Sequence, residues 1–208
     1  MAAFTHRFTQ AVDYARVAHA SQTRKGPKPI PYLYHLLGVA SLVIEHGGTE
    51  DQAIAALLHD VLEDCGAGHE ATIRAQFGDA VANMVKACTD GTAEDKAEHT
   101  TVEAKRADWL RRKLAYLDHV AGEPDDALLV SACDKLHNAR AIVQDILTPD
   151  TGLDVFNRFT ASKEQTLAYY ERLARIFGDR HSPVAALFDS VVAQIHVLAG
   201  NAARVPLT

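Results

Sequence analysis

The chain has 208 residues, 48% hydrophobic and 23% charged, with a formal net charge of −6, the make-up of one globular domain with a substantial core. The negative balance speaks against sequence-independent nucleic-acid binding, which needs a broad basic surface. The longest mostly apolar stretch, Leu36 to Ile44, is far too short to span a bilayer, so neither nucleic acid nor membrane is an expected partner.

Helical periodicity runs through the chain. Phe8, Val12, Ala15 and Ala18 recur at spacings of three and four and predict an amphipathic helix. The run Arg24-Lys25-Gly26-Pro27-Lys28-Pro29-Ile30-Pro31 is a turn, because its prolines and glycine exclude a regular helix. The next helix covers Tyr32 to His46 and is closed by Gly47-Gly48. Thr49 is the expected N-cap of a third helix from Glu50 to Asp64. Two short helices, His69 to Phe77 and Asp79 to Ala87, meet at Gly78, and the polar stretch from Thr89 to Thr101 reads as a mobile loop. Longer helices follow over Val102 to Val120 and Asp125 to Ile146, with further ones near Asp154 to Phe177 and Pro183 to Leu198. No segment alternates with period two, and no repeat or long linker divides the chain. The expected fold is all-α, a helical bundle in one domain over 1–208, with its core at about 5–178 and a C-terminal helix at about 183–198.

Cys65, Cys88 and Cys133 form an odd set without a CxxC pair, so neither a disulfide framework nor a structural zinc site is expected. Met1 to Gln10 lacks the apolar core of a signal peptide, and a cytoplasmic location is the expectation.

The third helix carries His59-Asp60-Val61-Leu62-Glu63-Asp64. On one continuous helix His59 would stack over Glu63 and Asp60 over Asp64, beside an apolar side made by Ile54, Leu57, Leu58, Val61 and Leu62. Alone, such a run is a solvated acidic helix end. Two more residues shift the balance. His35 follows the proline-rich turn, and Asp134 follows the apolar run Leu128-Leu129-Val130, where an acid is expected to be neutral, paired or metal-bound. Two histidines and two aspartates from three helices make a nitrogen and oxygen set suited to Mn²⁺, Fe²⁺ or Zn²⁺. Such a metal, with coordination positions left open, can polarise a phosphoryl group.

The order H…HD…D is the signature of the HD phosphohydrolase superfamily, and the chain resembles it. The likeness is more specific to the hydrolase domain of RelA/SpoT-type enzymes and their stand-alone relatives, the small alarmone hydrolases. It is carried by Arg24-Lys25-Gly26, Pro31-Tyr32-Leu33-Tyr34-His35, Leu57-Leu58-His59-Asp60-Val61-Leu62-Glu63-Asp64 and Asp134-Lys135-Leu136-His137-Asn138, and extends over about residues 5–147. The resemblance implies an HD-domain helical bundle, usually loaded with Mn²⁺, that removes pyrophosphate from the 3′ position of guanosine tetra- or pentaphosphate and releases GDP or GTP. It implies metal ligation by His35, His59, Asp60 and Asp134. Glu63 and Asp64 match the acidic pair that handles the attacking water. Arg24 would stack on the base, Lys25 would neutralise phosphate, and Asn138 would contact ribose or phosphate. Lys163 and Tyr169 are added to the pocket on looser spacing. The segment from Asp90 to Thr101 departs from the long enzymes, which leaves adenosine alarmones open as substrates, and no synthetase domain is expected. The rivals are an HD nucleotidase acting on 5′-monophosphates and a non-catalytic nucleotide-binding module.

The remaining histidines, His6, His46, His69, His99, His119, His181 and His196, are expected at the surface, and His137 in a structural place. Trp109 lies among Arg106, Arg111, Arg112 and Lys113, a charge run that reads as a solvated face or, alternatively, a homodimer contact.

Overall fold

The computed structural model describes residues 4–26, 28–89, 101–201 and 203–208. Among them are ten α-helices and one 3-10 segment, with no sheet and a single isolated bridge between Thr23 and Pro31. The fold is all-α, as the periodicity implies. The stretch read as a mobile loop lies mostly outside the described residues, as does His99. No helix among the described residues is long and apolar enough to cross a membrane.

The chain divides into two compact units. The first takes Met1–Arg24, Lys28–Ala97 and Glu123–Asp134. It holds α1 (His6–Ala18), α2 (Leu33–Glu45), α3 (Glu50–Leu58), α4 (Val61–Cys65), α5 (His69–Phe77), α6 (Asp79–Cys88) and the start of α8 (Asp125–Leu147). The central element is α3, which packs on α1, α2 and α6. Every residue from Ala53 to Leu58 is buried, so beyond its polar first turn this helix is apolar all round rather than amphipathic. Its start is set by a capping box: Thr49 accepts from the Gln52 amide while the Gln52 side chain accepts from the Thr49 amide, a device that stabilises by about 1 kcal/mol. α2 turns the stripe His35, Leu36, Val39, Ala40, Leu42 and Val43 inward, the spacing of one buried helical face.

The turn from α2 to α3 depends on two glycines with different tasks. Gly47 has φ +83°, which a side chain would strain. Gly48 is needed for space, since a Cβ there would lie 2.8 Å from the Val43 carbonyl oxygen and closer still to Val43 Cγ1. Gly48→Ala is therefore expected to destabilise the protein by about 1–3 kcal/mol, read as a fall in the urea midpoint at unchanged slope. An unaltered midpoint would show that the turn relaxes freely.

The second unit takes Lys25–Pro27, Glu98–Gly122 and Lys135–Thr208. It contains α7 (Val102–Gly122), the rest of α8, the 3-10 segment Gly152–Arg158, α9 (Lys163–Asp179) and α10 (Ala185–Leu198). The helix read from Asp154 onward is thus split. Ser162 caps α9 with a second capping box through Gln165. α9 and α10 pack through Phe177 against Phe188, with ring centroids 5.0 Å apart. Arg204 ties the ends together through ion pairs with Glu171 and Asp189. His196 corrects the surface expectation. It is buried because it falls on the α10 stripe of Phe188, Val191, Val192 and Ile195, and burial pushes its imidazole below the ordinary value. Trp109 is also no simple surface residue: it is half-buried, edge-on to Tyr169 at 6.2 Å. In the same helix Lys105, Arg106 and Arg111 are exposed, while Arg112 and Lys113 are half-buried.

Candidate metal centre

His35, His59, Asp60 and Asp134 all belong to the first unit. His35 stands on the buried face of α2, His59 directly follows α3, and Asp134 closes the buried run Ala127 to Asp134 of α8. Their side chains converge. Asp134 Oδ1 lies 3.1 Å from His35 Nε2 and 3.5 Å from His59 Nε2. Asp60 Oδ2 lies 3.1 Å from His59 Nε2 and 3.6 Å from His35 Nε2. His35, His59 and Asp134 each offer one ligand atom within 4.8 Å of the others, and both imidazoles are buried.

The chemistry of this set calls for a cation. His59 Nδ1 donates to the Ala56 carbonyl at 2.8 Å, which leaves Nε2 of the neutral ring as a lone pair facing two carboxylates. That Nε2 is buried and makes no hydrogen bond of sound geometry. Burial alone would push His59 down, but the charges of Asp60 and Asp134 outweigh it and hold the imidazole well above its ordinary value. Burial would likewise raise Asp60, but His59 and His35 hold it well below the carboxylate range. A divalent ion here would place positive charge between the two carboxylates and use the ring nitrogens as donors. Two imidazoles and two carboxylates fit such an ion.

The helix bearing these residues is not continuous. α3 ends at Leu58, and Asp60 has φ −93° and ψ −3°, the bridge region between helix and strand. α4 restarts at Val61, and the Asp64 amide donates to the Asp60 carbonyl at 2.9 Å. The one-turn spacing of Asp60 and Asp64 survives, but His59, Asp60, Glu63 and Asp64 do not line one flank of a single helix. His59 and Asp60 occupy the corner, and Glu63 and Asp64 lie in the first turn of α4, half-buried and exposed respectively. Gly66, at φ +113°, ends α4.

Arg24 is half-buried in the first unit, with its guanidinium carbon 5.9 Å from the centre of the Tyr32 ring. Lys25, Asn138, Lys163 and Tyr169 belong to the second unit. Lys25 lines a cavity of about 420 Å³ with Gly26, Asp150, Thr151, Asp154 and Arg158. Asn138 is half-buried on α8. Lys163 donates to the Ala199 carbonyl at 3.4 Å, and Tyr169 is buried with Lys113 over its ring at 5.5 Å.

One participant went unassigned in the sequence. Tyr32 donates to Asp60 Oδ2 at 2.6 Å. Burial first, then the charge and hydrogen bond of Asp60 and the charges of Asp64 and Asp134, push its phenol far above the ordinary value, so it remains a donor. Its signal was the spacing to His35, three residues on. Cys65, by contrast, is a poor nucleophile: burial, then the charges of Asp64 and Asp60, push its thiol up to about 11.

Residues 11–167 match the model of the HD domain family, and the chain belongs to that family. It is 36% identical over 133 residues to a Xenopus tropicalis protein named guanosine-3′,5′-bis(diphosphate) 3′-pyrophosphohydrolase MESH1, covering 63% of this chain and 66% of that one. The match thus spans just under two thirds of that relative's length. A Drosophila melanogaster protein of the same name is 31% identical over 136 residues, covering 64% of this chain and 68% of its own. A solved structure described as a metazoan ortholog of SpoT that hydrolyzes ppGpp superposes with a TM-score of 0.70 over 96% of this chain and 99% of that one. At 23% identity this likeness speaks for the fold.

Proposed function

We propose that the chain is a metal-dependent hydrolase that cleaves the ester between ribose O3′ and the pyrophosphate of guanosine tetra- or pentaphosphate, releasing GDP or GTP. The observation that carries this reading is the convergence of the buried His35, His59 and Asp134 with the half-buried Asp60, imidazole nitrogens and carboxylate oxygens lying 3.1–3.6 Å apart. Relatives that match 63–64% of the chain bear the corresponding name.

In this reading the four residues hold one divalent ion, Mn²⁺ first, with Fe²⁺ and Zn²⁺ as alternatives. When bound, the ion polarises a phosphoryl oxygen and acidifies water. Glu63 and Asp64 orient the attacking water and accept its proton. Water adds its oxygen to phosphorus, the bond to O3′ breaks, and O3′ regains a proton. Arg24 stacks on the base, Lys25 neutralises phosphate, and Asn138 contacts ribose or phosphate; these roles come from the resemblance. Lys163 and Tyr169 complete the substrate set on spacing alone, and their engagement with Ala199 and the Trp109 cluster adds no support. The three free cysteines fit a reducing cytoplasm.

The test is product analysis with purified, Mn²⁺-reconstituted protein and a panel of guanosine tetraphosphate, its adenosine analogue and simple 5′-monophosphates. The expected result is pyrophosphate and GDP from the guanosine alarmone. Cleavage of the adenosine analogue alone would move the assignment to that base. Cleavage of 5′-monophosphates alone would make the protein a nucleotidase, and tight binding without product would make it a non-catalytic module.

A further inference from the structure

Tyr32 lies between the metal centre and the turn that carries Arg24. The turn is tied back on itself: the Tyr32 amide donates to the Gln22 carbonyl at 3.0 Å, and the Arg24 amide donates to the Ile30 carbonyl at 2.9 Å. Thr23 and Pro31 form the bridge between these two bonds. The short antiparallel pairing holds Arg24 beside Tyr32, whose ring the guanidinium covers at 5.9 Å, within the range of a cation–π contact. The buried His19 ring stacks on the same tyrosine, 5.2 Å between centroids at 23°. His19 is itself fixed by Gln22, 2.5 Å from Nδ1 to Oε1. His35 meets the Tyr32 ring edge-on at 5.5 Å.

The hydroxyl of this braced ring reaches Asp60 Oδ2, the oxygen that faces both histidines. That aspartate sits at the break between two helices and makes no side-chain capping hydrogen bond to α4. A ligand in such a place needs an outside partner to stay aimed, and loss of a partner of this kind lowers metal affinity by about 10–100-fold.

We infer that Tyr32 is a positioning residue with two jobs: its hydroxyl aims Asp60 into the metal centre, and its ring carries Arg24 in register with that centre. The inference rests on the metal-dependent reading above and adds to it a physical link between nucleotide-holding and metal-holding residues. Tyr32→Phe separates the jobs by removing the hydroxyl and keeping the ring. Tyr32→Leu removes both.

The experiment titrates Mn²⁺ calorimetrically into metal-free wild type, Tyr32→Phe, Tyr32→Leu and His35→Ala, each first checked by its circular dichroism melt. It then measures kcat and KM at saturating Mn²⁺. Tyr32→Phe is expected to weaken Mn²⁺ binding at least about tenfold with little change in KM. Tyr32→Leu is expected to weaken it comparably and also to raise KM. His35→Ala is expected to show no binding. Wild-type Mn²⁺ affinity in Tyr32→Phe overturns the aiming role, and an unchanged KM in a folded Tyr32→Leu overturns the Arg24 link. Failure of the wild type to bind Mn²⁺ overturns the metal-dependent reading itself.

Discussion

Asp134→Ala is expected to abolish divalent-metal binding and to lower turnover by about 10³-fold or more, a loss of about 4 kcal/mol in transition-state stabilisation. Asp134 is 5% exposed and sits at the end of a fully buried stretch of α8. Its Oδ1 faces both imidazole nitrogens. The acid comes from a helix distant in sequence from the other ligands, which makes it the element that closes the set. Removing it leaves Asp60 as the single carboxylate between two buried imidazoles, too little negative charge to hold a divalent ion against protonation of the rings. Fold and function separate cleanly here. The α8 start is anchored elsewhere, by the Gln52 side-chain amide (Nε2) donating to the Asp126 carbonyl and the Ser131 hydroxyl donating to Glu123, so the melt should remain cooperative. Mn²⁺ calorimetry and pyrophosphate release measure the two effects. Mn²⁺ affinity equal to wild type in Asp134→Ala would remove Asp134 from the ligand set.

The burial of Asp134 is also the clearest example of what could be read from residues alone. An acid after Leu128-Leu129-Val130 is an anomaly in an apolar helix face, and anomalies of that kind mark a constraint. Helix ends were legible where a mechanism writes them: Thr49 with Gln52, and Gly78 with its positive φ between α5 and α6. The break after Leu58 has no such mark. Neither glycine nor proline stands at His59-Asp60, and the apolar pattern continues through Val61 and Leu62. With no local breaker to mark it, the interruption is invisible to periodicity. Tyr32 was missed for a related reason. A tyrosine at a helix start is ordinary, and only the fold brings its hydroxyl to Asp60 across 28 residues of sequence. His196 shows the converse: its place on a buried stripe was present in the spacing of α10, but a default for histidine overrode the period.

The same corner shapes the second large effect, in the acidic pair. Glu63→Gln keeps size and hydrogen-bonding capacity while removing the charge, and it lies outside the converging ligand set. It is expected to leave Mn²⁺ affinity close to wild type, lower kcat by about 10²–10⁴-fold, and leave KM nearly unchanged. That pattern belongs to a group that acts on the proton in the transition state and not on substrate binding. Glu63 is half-buried and Asp64 exposed, so Glu63 is the better shielded from bulk water. Within the proposed mechanism, in which both acids handle the water, the more shielded Glu63 is expected to matter more, so Asp64→Asn should cost less in kcat than Glu63→Gln. Because α4 restarts at Val61, both acids are carried on their own short helix, tied to the metal corner by the Asp64 amide on the Asp60 carbonyl. A shift of that corner would move both acids and the proposed metal ligand Asp60 together. Stopped-flow turnover of both variants under saturating Mn²⁺ measures the difference. Full activity in Glu63→Gln would strip Glu63 of its role, and a larger loss in Asp64→Asn would exchange the two.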